Sequence, residues 1–198
     1  MKPLLCLLTL VLCVARAADP KPVVAPHPLT LTFYIAGVQN DQDAATILES
    51  LKTVKSVTKV EGFTTTSGYA NISWDSHVNG YHEVAQAIAD TKSSGGAPFV
   101  PTMKLRVPDY AKADHAPKID AIFAKYKQLV TVEPLDREAG IFLIRFLPLK
   151  PDPARAGRPQ GWSGGFFGHP IHDAPPAGLG LAVAFVQERS ATPKPVQK

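Results

Sequence analysis

Residues 29–35 alternate without a break. Leu29, Leu31, Phe33 and Ile35 fall on one face, and Thr30, Thr32 and Tyr34 on the other. Period-two alternation of aromatic and β-branched side chains predicts a half-buried strand. Gly37 closes it, capping side chains follow at Asn40, Asp41 and Asp43, and apolar residues then recur at the helical spacing of Ala44, Ile47, Leu48 and Leu51. Two strands follow over residues 57–63 and 69–74, joined by a turn containing Ser67-Gly68, with Ala70, Ile72 and Trp74 on one face. A second helix over 81–90 puts Tyr81, Val84, Ala85 and Ile88 on one stripe. Residues 93–98 interrupt, and 99–107 read as a strand with Met103, Leu105 and Val107 turned inward. The order βαββαβ predicts an α+β, ferredoxin-like sandwich with both helices on one face of an antiparallel sheet.

The second half repeats part of this plan. Ile119, Ile122, Phe123 and Tyr126 have helical spacing, with Pro117 suited to the first turn. Strands are expected at 130–132 and 141–147 around a turn holding Asp136 and Gly140. The second of these is apolar on nearly both faces and so belongs in the middle of a sheet. No helix pattern follows. Residues 150–178 are rich in Pro and Gly and read as a long loop or lid before a closing strand at 179–186. The expected organisation is a leader at 1–17, a Pro-rich lead-in at 18–28, a ferredoxin-like unit at 29–107, a second, degenerate ferredoxin-like unit at 108–187, and a loose tail at 188–198.

The leader rests on Lys2, the apolar run of residues 4–14 and the small residues of Ala15-Arg16-Ala17, the three regions of a secretory signal. The apolar run is too short to span a membrane. An exported protein, periplasmic or secreted, is therefore expected. Both cysteines, Cys6 and Cys13, lie inside the leader, so the processed chain offers neither a disulfide nor a thiolate, and its only thioether is Met103. The formal charge of +4 includes Lys2 and Arg16, and about +2 remains without them. A bias that small argues against nucleic acid as a partner.

From Leu29 to about Thr91 the chain resembles the heavy-metal-associated family. Its pattern is a strand, a Gly-Met-x-Cys-x-x-Cys loop, a helix, two strands, a second helix and a last strand. The corresponding loop here reads Gly37-Val38-Gln39-Asn40-Asp41-Gln42-Asp43, so Asn40 and Asp43 stand where the resemblance places the two thiolates. The family's cargo, soft Cu(I), favours sulfur. The resemblance thus implies the scaffold without its usual metal site, and Asn40 and Asp43 are expected to cap the helix instead.

His169, His172 and Asp173 are the candidate ligands for a divalent metal such as Zn, Cu(II) or Ni, since imidazole needs no thiolate partner. Trp162, Phe166 and Phe167 would pin the surrounding loop. His27, His77, His82 and His115 are expected on solvated surface. Asn71-Ile72-Ser73 matches a glycosylation acceptor but falls inside a strand. The turn after the first strand lacks the arginine of acylphosphatases, which share the fold, and no nucleophile elbow, P-loop or zinc-protease motif occurs. No catalytic or cofactor-binding residue is assigned. The expected function is a non-enzymatic binding module for another exported protein, with divalent-metal handling through His169, His172 and Asp173 as the alternative.

Overall fold

The computed structural model describes residues 25–112, 114–151, 153–155 and 160–189. The expected leader, most of the lead-in and the end of the tail lie outside these residues. The elements of the first half are β1 (Pro28–Ala36), α1 (Asp41–Thr53), β2 (Val57–Glu61), β3 (Tyr69–Asp75), α2 (Tyr81–Ala89) and β4 (Val100–Arg106). Their strands lie in the order β2-β3-β1-β4, every pair antiparallel, which is the ferredoxin-like arrangement. The alternation of β1 is realised as read: Leu31, Phe33 and Ile35 are buried in the core with Ala70, Ile72 and Trp74 of β3.

The sheet continues past β4 with β6 (Ile141–Phe146) and β5 (Val130–Asp136), both following α3 (Ala116–Ala124). β4 uses one edge twice. Val100 to Thr102 pair with β1, and Leu105 and Arg106 pair with the two-residue strand β7 (Ala184–Phe185). Its other edge pairs with β6 from Thr102 to Arg106. β4 therefore ends one βαββαβ succession and begins the next, whose strand order β7-β4-β6-β5 repeats the first. β6 lies between β4 and β5, as its two apolar faces require.

Two elements near the end of the chain depart from expectation. A helix, α4 (Gly165–His172), forms inside the Pro/Gly-rich stretch read as loop, and the closing strand shrinks from eight expected residues to Ala184 and Phe185. Gly165, Gly168 and Pro170 make α4 a poor helix by intrinsic propensity. Packing overrides that. Phe167 and Ile171, one turn apart, are fully buried, and Phe167 lies 4.9 Å from the ring of Phe123 and 5.0 Å from that of Trp162. The last carbonyls of α4 are taken by the following chain: Leu179 N–H donates to Pro170 O, Leu181 N–H to Ile171 O and Gly180 N–H to Asp173 O, at 2.8–3.0 Å.

The helices share one face of the sheet. Alternate residues of β6 touch helices of both halves, Phe142 meeting Phe123 of α3 and Phe146 meeting His82 of α2. The opposite face is polar, and the chain after β7 crosses it. Glu188 N–H donates to Thr32 Oγ1, Tyr34 O–H to Glu188 Oε1 and Asn71 Nδ2 to Glu188 O. Residues 187–189, which join the end of the expected second unit to the start of the expected loose tail, are a strap on this face, and Thr32, Asn71 and Thr102 are buried there. Asn71, which matches a glycosylation acceptor by sequence, is thereby 8% exposed with its amide engaged. Among the described residues no helix is long and apolar enough to cross a membrane.

Candidate functional site

The β1–α1 loop is where the resemblance to the heavy-metal-associated family places a metal site. Gly37 takes φ +98°, a left-handed value open to a residue without Cβ, and turns the chain out of β1. Asn40 then takes an extended backbone as the N-cap, and its Oδ1 accepts the Asp43 N–H at 2.9 Å. The expected cap is there, but Asp43 does more. Its side chain is buried, Oδ2 accepts the Gln39 N–H at 2.9 Å, and Oδ1 accepts the Ser94 N–H at 2.7 Å. Asn40 Nδ2 closes the ring by donating to Ser94 Oγ at 2.9 Å. The Ser94 N–H, then that of Gln39, hold the Asp43 carboxyl below its ordinary pKa. Where thiolates would project toward an ion, this loop is a closed knot with its oxygens committed to the protein. Met103 is fully buried and offers no sulfur to it.

His169, His172 and Asp173 do come together, at the C-terminal end of α4. His169 Nδ1 lies 3.5 Å from Asp173 Oδ2, and His172 Nδ1 lies 3.7 Å from Oδ1. Asp173 thus sits between the two imidazoles. Helical geometry sets this arrangement rather than the tight turn around Pro170 that a loop would have needed. The side chains remain 78% and 71% exposed for the histidines and 41% for the aspartate. Among the described residues no group of three or more His, Cys, Asp or Glu side chains is disposed to hold one metal ion. The Gly-aromatic stretch is not an exposed platform either, since Trp162 and Phe167 are wholly buried.

His82 was expected on the surface and is 1% exposed. It lies beside the apolar stripe of α2, where the second half of the chain covers it. Its Nε2–H donates to Leu147 O, and its Nδ1 accepts the Trp162 N–H at 3.1 Å. The imidazole is therefore a neutral strut between α2 and the segments on either side of the Pro/Gly-rich stretch. Burial pushes its pKa down. Beside it opens a cleft of about 420 Å³ whose walls include Glu83, Gln160, Ser163 and Phe166.

His27 and His77 are brought together as well. The register of β1 on β3 sets Pro28 opposite Asp75, so His27, just before the one, and His77, two residues past the other, become neighbours. The two rings lie 5.1 Å apart, centroid to centroid. No local signal in the sequence joins them; only the strand pairing does. His115, by contrast, stands apart, its Nδ1 2.9 Å from Asp109 O.

No protein-family model matches the chain, and no curated protein matches it. Among solved structures, the N-terminal soluble domains of Bacillus subtilis CopA are 16% identical over 63% of this chain and 82% of that one, with a TM-score of 0.35. The water-soluble region of the P-type ATPase CopA, also from Bacillus subtilis, is 14% identical over 63% and 80%, with a TM-score of 0.34. A protein named for copper-ion binding from Bacillus anthracis str. Ames is 21% identical over 33% of this chain and 92% of its own, with a TM-score of 0.32. Superpositions this loose decide nothing about a site. The assignment to the ferredoxin-like class stands on the strand order and register.

Proposed function

We propose that this chain is an exported, non-enzymatic binding module on a heavy-metal-associated-like scaffold that has given up the thiolate site. The observation that carries this reading is the Asp43 knot. A buried carboxylate whose two oxygens each already accept a backbone N–H has little to offer a cation, and among the described residues the only sulfur, that of Met103, is buried in the core. The Gly-aromatic stretch is spent on the core, which leaves the sheet edge as the surface for a partner, another exported protein. At the β2 edge, Leu48, Val57 and Val60 line a groove of about 370 Å³ between α1 and the strand, rimmed by Glu49, Lys52 and Lys59. Among the described residues β2 pairs only with β3, and its open edge beside an apolar groove suits an added extended segment.

The test has two arms on the processed chain. In competition with a Cu(I) chelator, the protein is expected to withdraw no copper, and strong withdrawal would overturn the lost-site reading. A photo-cross-linker at Thr58, on the edge strand, is expected to trap one discrete exported partner in the native cell. A cross-linker that traps nothing, set against divalent-metal binding lost on replacing His169 and His172, would favour metal handling through His169, His172 and Asp173 instead.

A further inference from the structure

We infer that His27 and His77 form a two-imidazole site for a divalent transition metal at the open end of β1 and β3. The site is built before any ion arrives. Asp75 Oδ1 accepts the backbone N–H of both histidines, at 3.1 Å from His27 and 3.0 Å from His77, and Ser76 N–H donates to His27 O at 3.0 Å. One carboxylate thus holds the two backbones together, and the rings end 5.1 Å apart with planes 30° from parallel. Two imidazoles bound to one ion at about 2.0–2.1 Å, with a near-tetrahedral angle between them, place their centroids about 5 Å apart.

Each ring has its Nδ1 against an oxygen. His77 Nδ1 lies 3.2 Å from Ala25 O, and a carbonyl can only accept, so Nδ1 carries the hydrogen and Nε2 keeps its lone pair. His27 Nδ1 lies 2.8 Å from Ser76 Oγ. Ser76 Oγ also lies 3.1 Å from His27 O, and with its hydroxyl hydrogen on that carbonyl Nδ1 is the donor and Nε2 the acceptor. An imidazole whose Nδ1–H is held by an oxygen keeps Nε2 for a metal, as metal-ligating histidines do. Both rings are exposed, so an ion reaches them without any opening of the fold. The donor set is nitrogen alone, which suits Cu(II), Ni(II) or Zn(II) rather than Cu(I), with water completing the shell. The site owes nothing to the β1–α1 loop.

Calorimetric titration of the full chain with Cu(II), Ni(II) and Zn(II) tests this, in a background where Cys6→Ser and Cys13→Ser remove the leader thiols. One ion per chain is expected, Cu(II) being held tightest. His27→Ala with His77→Ala should weaken binding by at least about tenfold, whereas His169→Ala with His172→Ala should leave it unchanged. In the protein with all its histidines, sub-stoichiometric Cu(II) should broaden the ring-proton NMR signals of His27 and His77 before any other. That second measurement does not depend on a variant folding. Absence of binding, binding that survives the first double substitution, or broadening confined to His169 and His172 would each overturn the inference. A Cu(I) result at the loop, either way, leaves these outcomes untouched.

Discussion

Two buried titratable side chains, Asp43 and His82, hold their surroundings by opposite chemistry. Asp43 is useful only as an anion, because two N–H donors point at it. Asp43→Asn would aim an amide N–H₂ at one of those donors, so a lower thermal midpoint at pH 7 is expected. The folded pKa is depressed, so this contribution is whole above the unfolded value of about 3.9 and is lost as pH falls through the folded one. Melts of protein and variant should therefore converge in strong acid, and a gap that stays constant with pH would show that charge is not the cause. His82 is useful only when neutral, because Nδ1 must accept the Trp162 N–H. Its depressed pKa means that the unfolded chain binds the proton first. Stability is full above about pH 6.5 and falls as pH drops below it. Urea unfolding at several pH values between neutral and pH 5 should show a shallower acid slope for His82→Phe than for the unmodified protein.

Among the helices and strands, glycine marks where backbone must approach backbone. A Cβ on Gly140 would stand 1.9 Å from Val107 O, at a φ of +64°, in the turn that sends β5 into β6. Gly140→Ala is expected to cost about 3 kcal/mol or more. Gly178 carries the chain across the end of α4, where a Cβ would meet Asp173 O at 2.5 Å and His169 O at 2.8 Å. Gly178→Ala should cost about 2–4 kcal/mol and release the α4 carbonyls first, visible as faster amide exchange at Leu179 and Leu181. Gly168 has the opposite sign. Nothing lies within 4 Å of its would-be Cβ, and it sits inside α4. Gly168→Ala should stabilise by about 0.5–1 kcal/mol. Chemical denaturation of the three variants checks the ranking, and equal effects would refute the account of α4.

For the molecule as a whole, the strap over the polar face joins residues 187–189 to β1 and β3. Tyr34 shows the consequence: burial, then the bond to Glu188, raises its phenol far above the ordinary range. Lys104 Nζ lies 3.8 Å from the centre of the same ring. Deleting residues 187–198 is expected to return Tyr34 toward an ordinary phenol, measured by ultraviolet titration of phenolate absorbance. It should also quicken amide exchange along β1. An unchanged Tyr34 would mean that the strap is not what shields it.

Periodicity along the chain carried most of the architecture. The alternation of Leu29 to Ile35, the helical recurrence of Ile47 and Leu51, and the two-sided apolar strand at 141–146 each report a burial pattern that one segment specifies alone. The Asn40 cap was legible for the same reason, since capping is a contact within four residues. Other features were decided between segments. α4 forms against its own propensity because Phe167 and Ile171 find a core and residues 178–181 take up its carbonyls. His82 is buried because the second half of the chain covers it, and the second oxygen of Asp43 is engaged because Ser94 comes to meet it. His27 and His77 are neighbours only through the register of β1 on β3. Local sequence determines what a segment buries; which partners it meets belongs to the packed sheet, because long-range contacts leave no period in the chain.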